Sequence, residues 1–234
     1  MRDLLYFSFK EKLNGASYSI NVAAVAAARQ LGQPRISWGA VFTKAIAITA
    51  DRYPELKRTY MPFPWAHFYE HPFPVASIVV EREWQGEYAV FFDRVRSPKQ
   101  KSLAELSDTL RSLKTLPVES VGGYRLLIRI TRYPFLIRRL LWRIALYGSG
   151  RLRARCIGTF AVNSIRGPHF AMTQATTPTA VAIYYGTVNH EGDVPIQIFF
   201  NHNIIDGAQV HRLLQALGEA LNGPILAELS SGPA

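Results

Sequence analysis

The chain has 234 residues, of which 48% are hydrophobic and 12% aromatic, a composition that excludes a disordered or low-complexity chain. Its one cysteine, Cys156, excludes an intramolecular disulfide. The formal net charge of +10, from 27 basic and 17 acidic residues, excludes a strongly acidic surface and points by charge alone to nucleic acid, anionic lipid, acidic protein or a phosphorylated ligand.

The length suits one domain over 1–234, and no internal repeat appears. The lone cysteine fits a reducing, cytoplasmic setting. Met1-Arg2-Asp3-Leu4 lacks the basic-then-apolar plan of a secretory leader. No uncharged apolar run reaches the roughly 18 residues of a spanning helix.

In chain order, Leu4–Phe9 reads as a short strand and Tyr18–Val22 as another. The Ala-rich run Val22–Leu31 is predicted helical and ends at Gly32. Ser37–Tyr53 reads as a long, mostly buried helix, with Pro54 beyond its end. The stretch 61–74, rich in proline and aromatics, reads as loop or extended chain. Val75–Val80 and Tyr88–Phe92 read as strands joined through Gln85-Gly86. Ser102–Leu113 is predicted to be a helix, with Ser102 and Glu105 in a capping box.

Pro134–Tyr147 fits a helix with proline in its first turn and Gly148 past its end. Thr159–Asn163, Val181–Val188 and Ile196–Asn201 read as strands. Ala208–Leu221 is amphipathic, with Val210, Leu213, Leu214, Leu217 and Leu221 on one face, and Asn222-Gly223-Pro224 is read as its stop. Apolar strands mixed with helices predict an α/β fold, a mixed sheet covered by helices.

Charge is concentrated. No Asp or Glu lies between Glu119 and Glu191, and that interval holds ten arginines, equal to the whole net charge. Residues 134–147 combine arginines with apolar and aromatic side chains. Such a helix can lie on a membrane surface, roof a substrate channel, or pack with its arginines at the solvent edge.

The chemistry-bearing stretch is Asn201-His202-Asn203-Ile204-Ile205-Asp206-Gly207, between an apolar strand and the amphipathic helix. A histidine in such a loop can be held rigidly while facing a cleft. An imidazole, with an ordinary pKa near about 6.5, suits proton abstraction at neutral pH. Asp206, four residues on, suits a structural ion pair that fixes the loop. The same residues also read as a polar turn between strand and helix.

His67 and His71 lie in the proline-rich stretch, where their spacing is a weak metal signal, and no metal site is expected. His169, His190 and His211 show no motif. Cys156 reads as a small buried residue without a partner to activate it.

The histidine string, with the strand before it and the helix after it, resembles the His-x-x-x-Asp-Gly signature of the chloramphenicol acetyltransferase and dihydrolipoamide acyltransferase superfamily. Phe42-Thr43-Lys44-Ala45-Ile46 through Arg52-Tyr53-Pro54-Glu55-Leu56 is similar to the helix of the dihydrolipoamide cores that ends in Pro-Glu-Leu. Gly158-Thr159-Phe160-Ala161-Val162-Asn163-Ser164 looks like their Gly-Thr-Phe strand. The likeness runs in family order over residues 35–223.

The resemblance implies a chloramphenicol-acetyltransferase-like fold and acyl transfer from acyl-coenzyme A to a small hydroxyl, amine or thiol acceptor, with His202 as general base. The oxyanion donor is a serine in related cores. Asn163 stands at that position here and Ser164 follows, and either can donate. Loss of such a donor costs about 3 kcal/mol of transition-state stabilisation.

Asp206 would pair with an arginine, with Arg2, Arg29 and Arg35 as candidates, and Gly207 would permit the turn and close helix approach. The family's Asp before the histidine and Arg after it are replaced by Asn201 and Asn203. No lipoyl-bearing region is recognised, which favours a free-standing enzyme. Two-core relatives place the site between their cores, so a single core implies a homotrimer with His202 facing a channel built by two copies. Nucleic acid is not an expected partner, whereas peripheral membrane contact through 134–147 is a candidate. Two other readings remain: a non-catalytic trimeric scaffold of the same fold, motivated by Asn163, Asn201 and Asn203, and a membrane or nucleic-acid binder driven by the arginine block.

Overall fold

The computed structural model describes residues 6–7, 13–32, 35–165, 175 and 177–231. The strands are β1 (Leu13–Asn21), β2 (Arg58–Met61), β3 (His67–Glu70), β4 (Val75–Trp84), β5 (Glu87–Arg96), β6 (Phe160–Ser164), β7 (Val181–Tyr185) and β8 (Asp193–Asn201). Six of them form one mixed sheet in the order β1-β8-β7-β6-β4-β5. β6 runs parallel to both β4 and β7, while the other pairings are antiparallel. The fold is α/β, as the alternation of elements implies.

The helices are α1 (Ala23–Leu31), α2 (Trp38–Arg52), α3 (Leu103–Thr115), α4 (Gly122–Thr131), α5 (Phe135–Tyr147), α6 (Gly150–Cys156), α7 (Gly207–Ala220) and α8 (Leu226–Ser230). α2, with most of its residues buried, packs against α3, α7 and the sheet. Phe42 of α2 is fully buried and stacks on Tyr185 of β7 at 4.2 Å, and burying such a ring contributes about 1.5–3 kcal/mol. Alternate residues of the sheet, among them Phe160, Val162, Ile183, Ile198 and Phe200, complete this core. On the reverse face, Trp142 and Leu146 of α5 cover Phe92 of β5, and Tyr184 and Phe199 cluster with Ala161 and Ala182.

β6 is set against β4 by one tight corner. Gly158 has φ +105, and a Cβ there would come within 3.0 Å of the Val75 carbonyl. Only glycine takes that backbone at low cost. Thr159 then hydroxyl-bonds the chain: its Oγ1 accepts from the Val75 N–H at 3.0 Å. The β4–β5 hairpin turns through Gln85 and Gly86, both at positive φ, as a two-residue turn matched to strand twist requires.

Two expectations are corrected and one is sharpened. Tyr6 and Phe7 are helical, while the rest of the expected strand at Leu4–Phe9 lies outside the described residues. The stretch 61–74 contains β3, which pairs with β2 as a short ribbon, because four alternating residues fit between the prolines. The Asn222-Gly223-Pro224 stop does not end the helical path. Leu221–Ile225 forms a π turn that takes Pro224 inside it and leads into α8, since the widened turn tolerates a residue without an N–H. Among the described residues no helix is long and apolar enough to cross a membrane.

Candidate active site

β8 is buried along most of its length, as befits a strand with neighbours on both sides and covered faces. At its end Asn201, 3% exposed, ties down the loop that follows. Its Oδ1 accepts from the Asn203 backbone N–H at 2.9 Å and from Asn203 Nδ2 at 3.0 Å. Its carbonyl accepts from the N–H groups of Ile204 and Ile205. The two positions that depart from the family pattern are therefore a matched pair of amides.

His202 is exposed at the apex of this loop. Its Nδ1 lies 3.1 Å from the carbonyl of Ile205, a buried residue. A carbonyl only accepts, so Nδ1 carries a proton, and it is Nε2 that is bare whenever the ring is uncharged. The ring also meets Phe200 edge-on, at 6.2 Å between centroids. Two anchors thus fix the imidazole: a hydrogen bond to backbone and an aromatic contact.

Asp206 does something other than what was expected of it. It is the N-cap of α7, its Oδ1 accepting from the Gln209 N–H at 2.7 Å while Gln209 Oε1 accepts from the Asp206 N–H at 2.9 Å. Gln209 Nε2 also reaches Glu55 at 3.3 Å. Among the described residues no arginine forms an ion pair with Asp206. Arg29 instead donates to the Ile36 carbonyl at 2.6 Å and lies over Trp38, and Arg2 lies outside the described residues. The signal for the cap was present as Asp-x-x-Gln, the pattern of a capping box. Gly207 opens α7 without a positive φ, and a Cβ there would meet nothing within 4 Å. Neither turn geometry nor close packing within the chain requires glycine at that position.

The structure does not bring Asn163 and Ser164 to His202. Asn163 pairs with Tyr184 and Ser164 with Tyr185, whereas the loop bearing His202 follows Asn201, bonded to Ala180 before the start of β7. The two candidate donors also point to opposite faces of the sheet. Asn163 lies on the face of Ala161 and Tyr184, and is hydrogen-bonded to the Tyr184 side chain. Burial pushes the Tyr184 hydroxyl pKa up, and the bond to Asn163 opposes that rise.

Ser164 is exposed on the helix side, in a cavity of about 410 Å³ that it shares with Arg29, Trp38 and Lys114. Burial, and secondarily the neighbouring Arg35, lower the pKa of Arg29. Sequence reasoning missed Tyr184 and Lys114, which carry no motif.

Among the described residues no group of three or more His, Cys, Asp or Glu is placed to hold a metal ion. His67 and His71 bond the backbone carbonyls of Trp65 and Phe73, and His169 lies outside the described residues.

No family model and no curated protein matches the chain. Solved structures do. The dihydrolipoamide acetyltransferase of Azotobacter vinelandii, studied for the role of a serine, a histidine and an asparagine in its catalytic mechanism, is 16% identical over 97% of this chain and 88% of that one, with a TM-score of 0.67. A chloramphenicol acetyltransferase is 11% identical over 94% of each chain, with a TM-score of 0.59. The epimerization domain of tyrocidine synthetase B aligns with 94% of this chain but 49% of its own, at 9% identity and a TM-score of 0.53. At such identities the likeness is one of architecture: the chain has the fold of the dihydrolipoamide acetyltransferase cores and chloramphenicol acetyltransferase.

Proposed function

We propose that the protein is an acyltransferase that moves an acyl group from a coenzyme A thioester to a small hydroxyl, amine or thiol acceptor, with His202 as general base. The observation that carries this reading is the bond from His202 Nδ1 to the Ile205 carbonyl, which leaves Nε2 bare on an exposed, fixed ring. In the proposed step Nε2 takes the acceptor's proton as the freed oxygen, nitrogen or sulfur attacks the thioester carbonyl. Collapse of the adduct breaks the carbon–sulfur bond, and the imidazolium returns its proton to the departing thiolate, so protons balance over the cycle.

Between those steps the oxyanion needs a donor. Asn163, at the aligned position, and Ser164 after it are the two candidates, and both stand far from His202 within one chain. That separation supports a homotrimer in which the Asn163 end of one copy meets the His202 end of the next. The half-length match to a longer epimerization domain is consistent with a site that needs two cores.

Arg29 and Lys114, beside Ser164, are the basic groups that would take the phosphates of the coenzyme. Asp206, four residues after His202, occupies the spacing of the histidine and asparagine studied in the Azotobacter enzyme. In this chain it would hold the loop by capping α7.

Thiol release from acyl-coenzyme A donors, measured against a panel of acceptors, tests the proposal. Turnover by the wild type and its loss in His202→Ala are expected. Equal turnover in the two would remove His202 from the mechanism.

A further inference from the structure

A surface helix ordinarily turns its polar side away from the core. α5 is apolar on both its inner and its outer side. Trp142 and Leu146 point inward and are buried. On the opposite side Leu136, Leu140 and Ile144 recur every four residues with Ile137 alongside, all exposed, Leu136 by 78%. Leu136, Leu140 and Ile144 form one wall of an apolar groove of about 880 Å³, and Phe63, also exposed, lines it with them. Arg143 lines the same groove, so cationic and apolar groups share one surface.

The helices that carry and flank this stripe bear charge of one sign. Arg125, Arg129, Arg132, Arg143, Arg151 and Arg155 are exposed on α4, α5, α6 and the joint before α5. None of the six is in an ion pair among the described residues. No acidic residue occurs between Glu119 and Glu191. Water alone leaves a stripe like this unsatisfied, and isologous contact with a second copy would press arginines against arginines.

We propose that α5 and the arginines around it dock on a membrane surface rich in anionic lipid. The helix has 13 residues, about 20 Å at 1.5 Å each, and lies in the plane of the interface. Leu136, Leu140 and Ile144 enter the boundary between headgroups and acyl chains, while the arginines meet lipid phosphates. This inference stands apart from the acyl-transfer reading, because it uses neither His202 nor Asn163.

Vesicle flotation of the full-length protein tests it, using phosphatidylcholine alone and a phosphatidylcholine–phosphatidylglycerol mixture. Binding to the mixture is expected to be on the order of tenfold tighter or more, and to weaken as salt rises. Leu136→Glu/Leu140→Glu/Ile144→Glu should abolish flotation at low salt while keeping the wild-type circular dichroism and mass by light scattering, since all three positions are exposed. A second variant, Arg125→Gln/Arg129→Gln/Arg132→Gln, should reduce binding with the stripe intact. Equal flotation with both vesicles, or unchanged flotation of the glutamate variant, would overturn the proposal. So would a lower assembly mass in that variant, which would make the stripe a contact between copies.

Discussion

Asn163 and His202 stand at opposite ends of one stretch of sheet. Asn163 pairs with Tyr184, which faces Gln197 on β8, and His202 follows Asn201 four residues further on. At about 3.4 Å per residue and 4.8 Å per strand, five residues along β8 and two strands across, the two positions are roughly 20 Å apart. One thioester carbonyl cannot touch both in a single chain. If the donor is the Asn163 amide, Asn163→Ala lowers kcat about 10²-fold, in line with other lost oxyanion donors. Asn163→Ser retains most of the rate and Ser164→Ala loses little. Steady-state kinetics on the three variants decide between the adjacent positions.

Asp206 as a cap makes a prediction that Asp206 as an ion-pair partner does not. Asp206→Ala should cost about 1 kcal/mol of stability through loss of the bond to the Gln209 N–H. Asp206→Asn keeps a good capping acceptor and should stay close to wild type. Urea unfolding of both measures this, and a large loss in Asp206→Asn would show that the carboxylate charge itself matters.

Two glycines should behave oppositely. Gly158→Ala forces positive φ on a side chain and drives it towards the Val75 carbonyl, so a loss of about 1–3 kcal/mol is expected. Gly207→Ala meets nothing within the chain and opens a helix, so the melting temperature should hold or rise slightly. A folded Gly207→Ala protein that loses turnover would place a neighbouring copy or substrate against that position.

Cys156 should be a slow thiol. Burial pushes its pKa up, with Arg94 and Arg155 opposing, so the thiolate is scarcer at neutral pH than in a free cysteine. Alkylation of the native protein should be slow at neutral pH and should accelerate only above the ordinary cysteine range. Unfolding in urea should restore the ordinary profile, and an equal rate in the native protein would contradict the burial.

Local signals in the sequence carried the frame of the site. The apolar run of β8, the polar string and the 3.6-residue period of α7 together placed His202 at a strand end before a helix, and the structure keeps it there. The exposed presentation of the ring followed from that placement, but its tautomer did not, because a backbone carbonyl leaves no mark in sequence. Strand alternation puts Asn163 and Ser164 on opposite faces, yet which face is covered depends on elements far away in the chain. Their distance from His202 follows from strand order, a property of topology. Asp206 was legible as a cap through Gln209, and the family likeness drew attention to arginines instead. α4 and α6 carry their arginines among apolar residues, so neither was read as a helix from the sequence.

Subunit complementation tests the shared site most directly. His202→Ala and Asn163→Ala are purified separately and then co-expressed and purified as mixed assemblies. If base and donor come from different copies, random mixing restores about a quarter of the wild-type sites, each joining an intact His202 to an intact Asn163 of its neighbour. Turnover of the mixture well above either parent is the predicted result. Turnover no greater than the mean of the two parents would contradict a catalytic site built between copies.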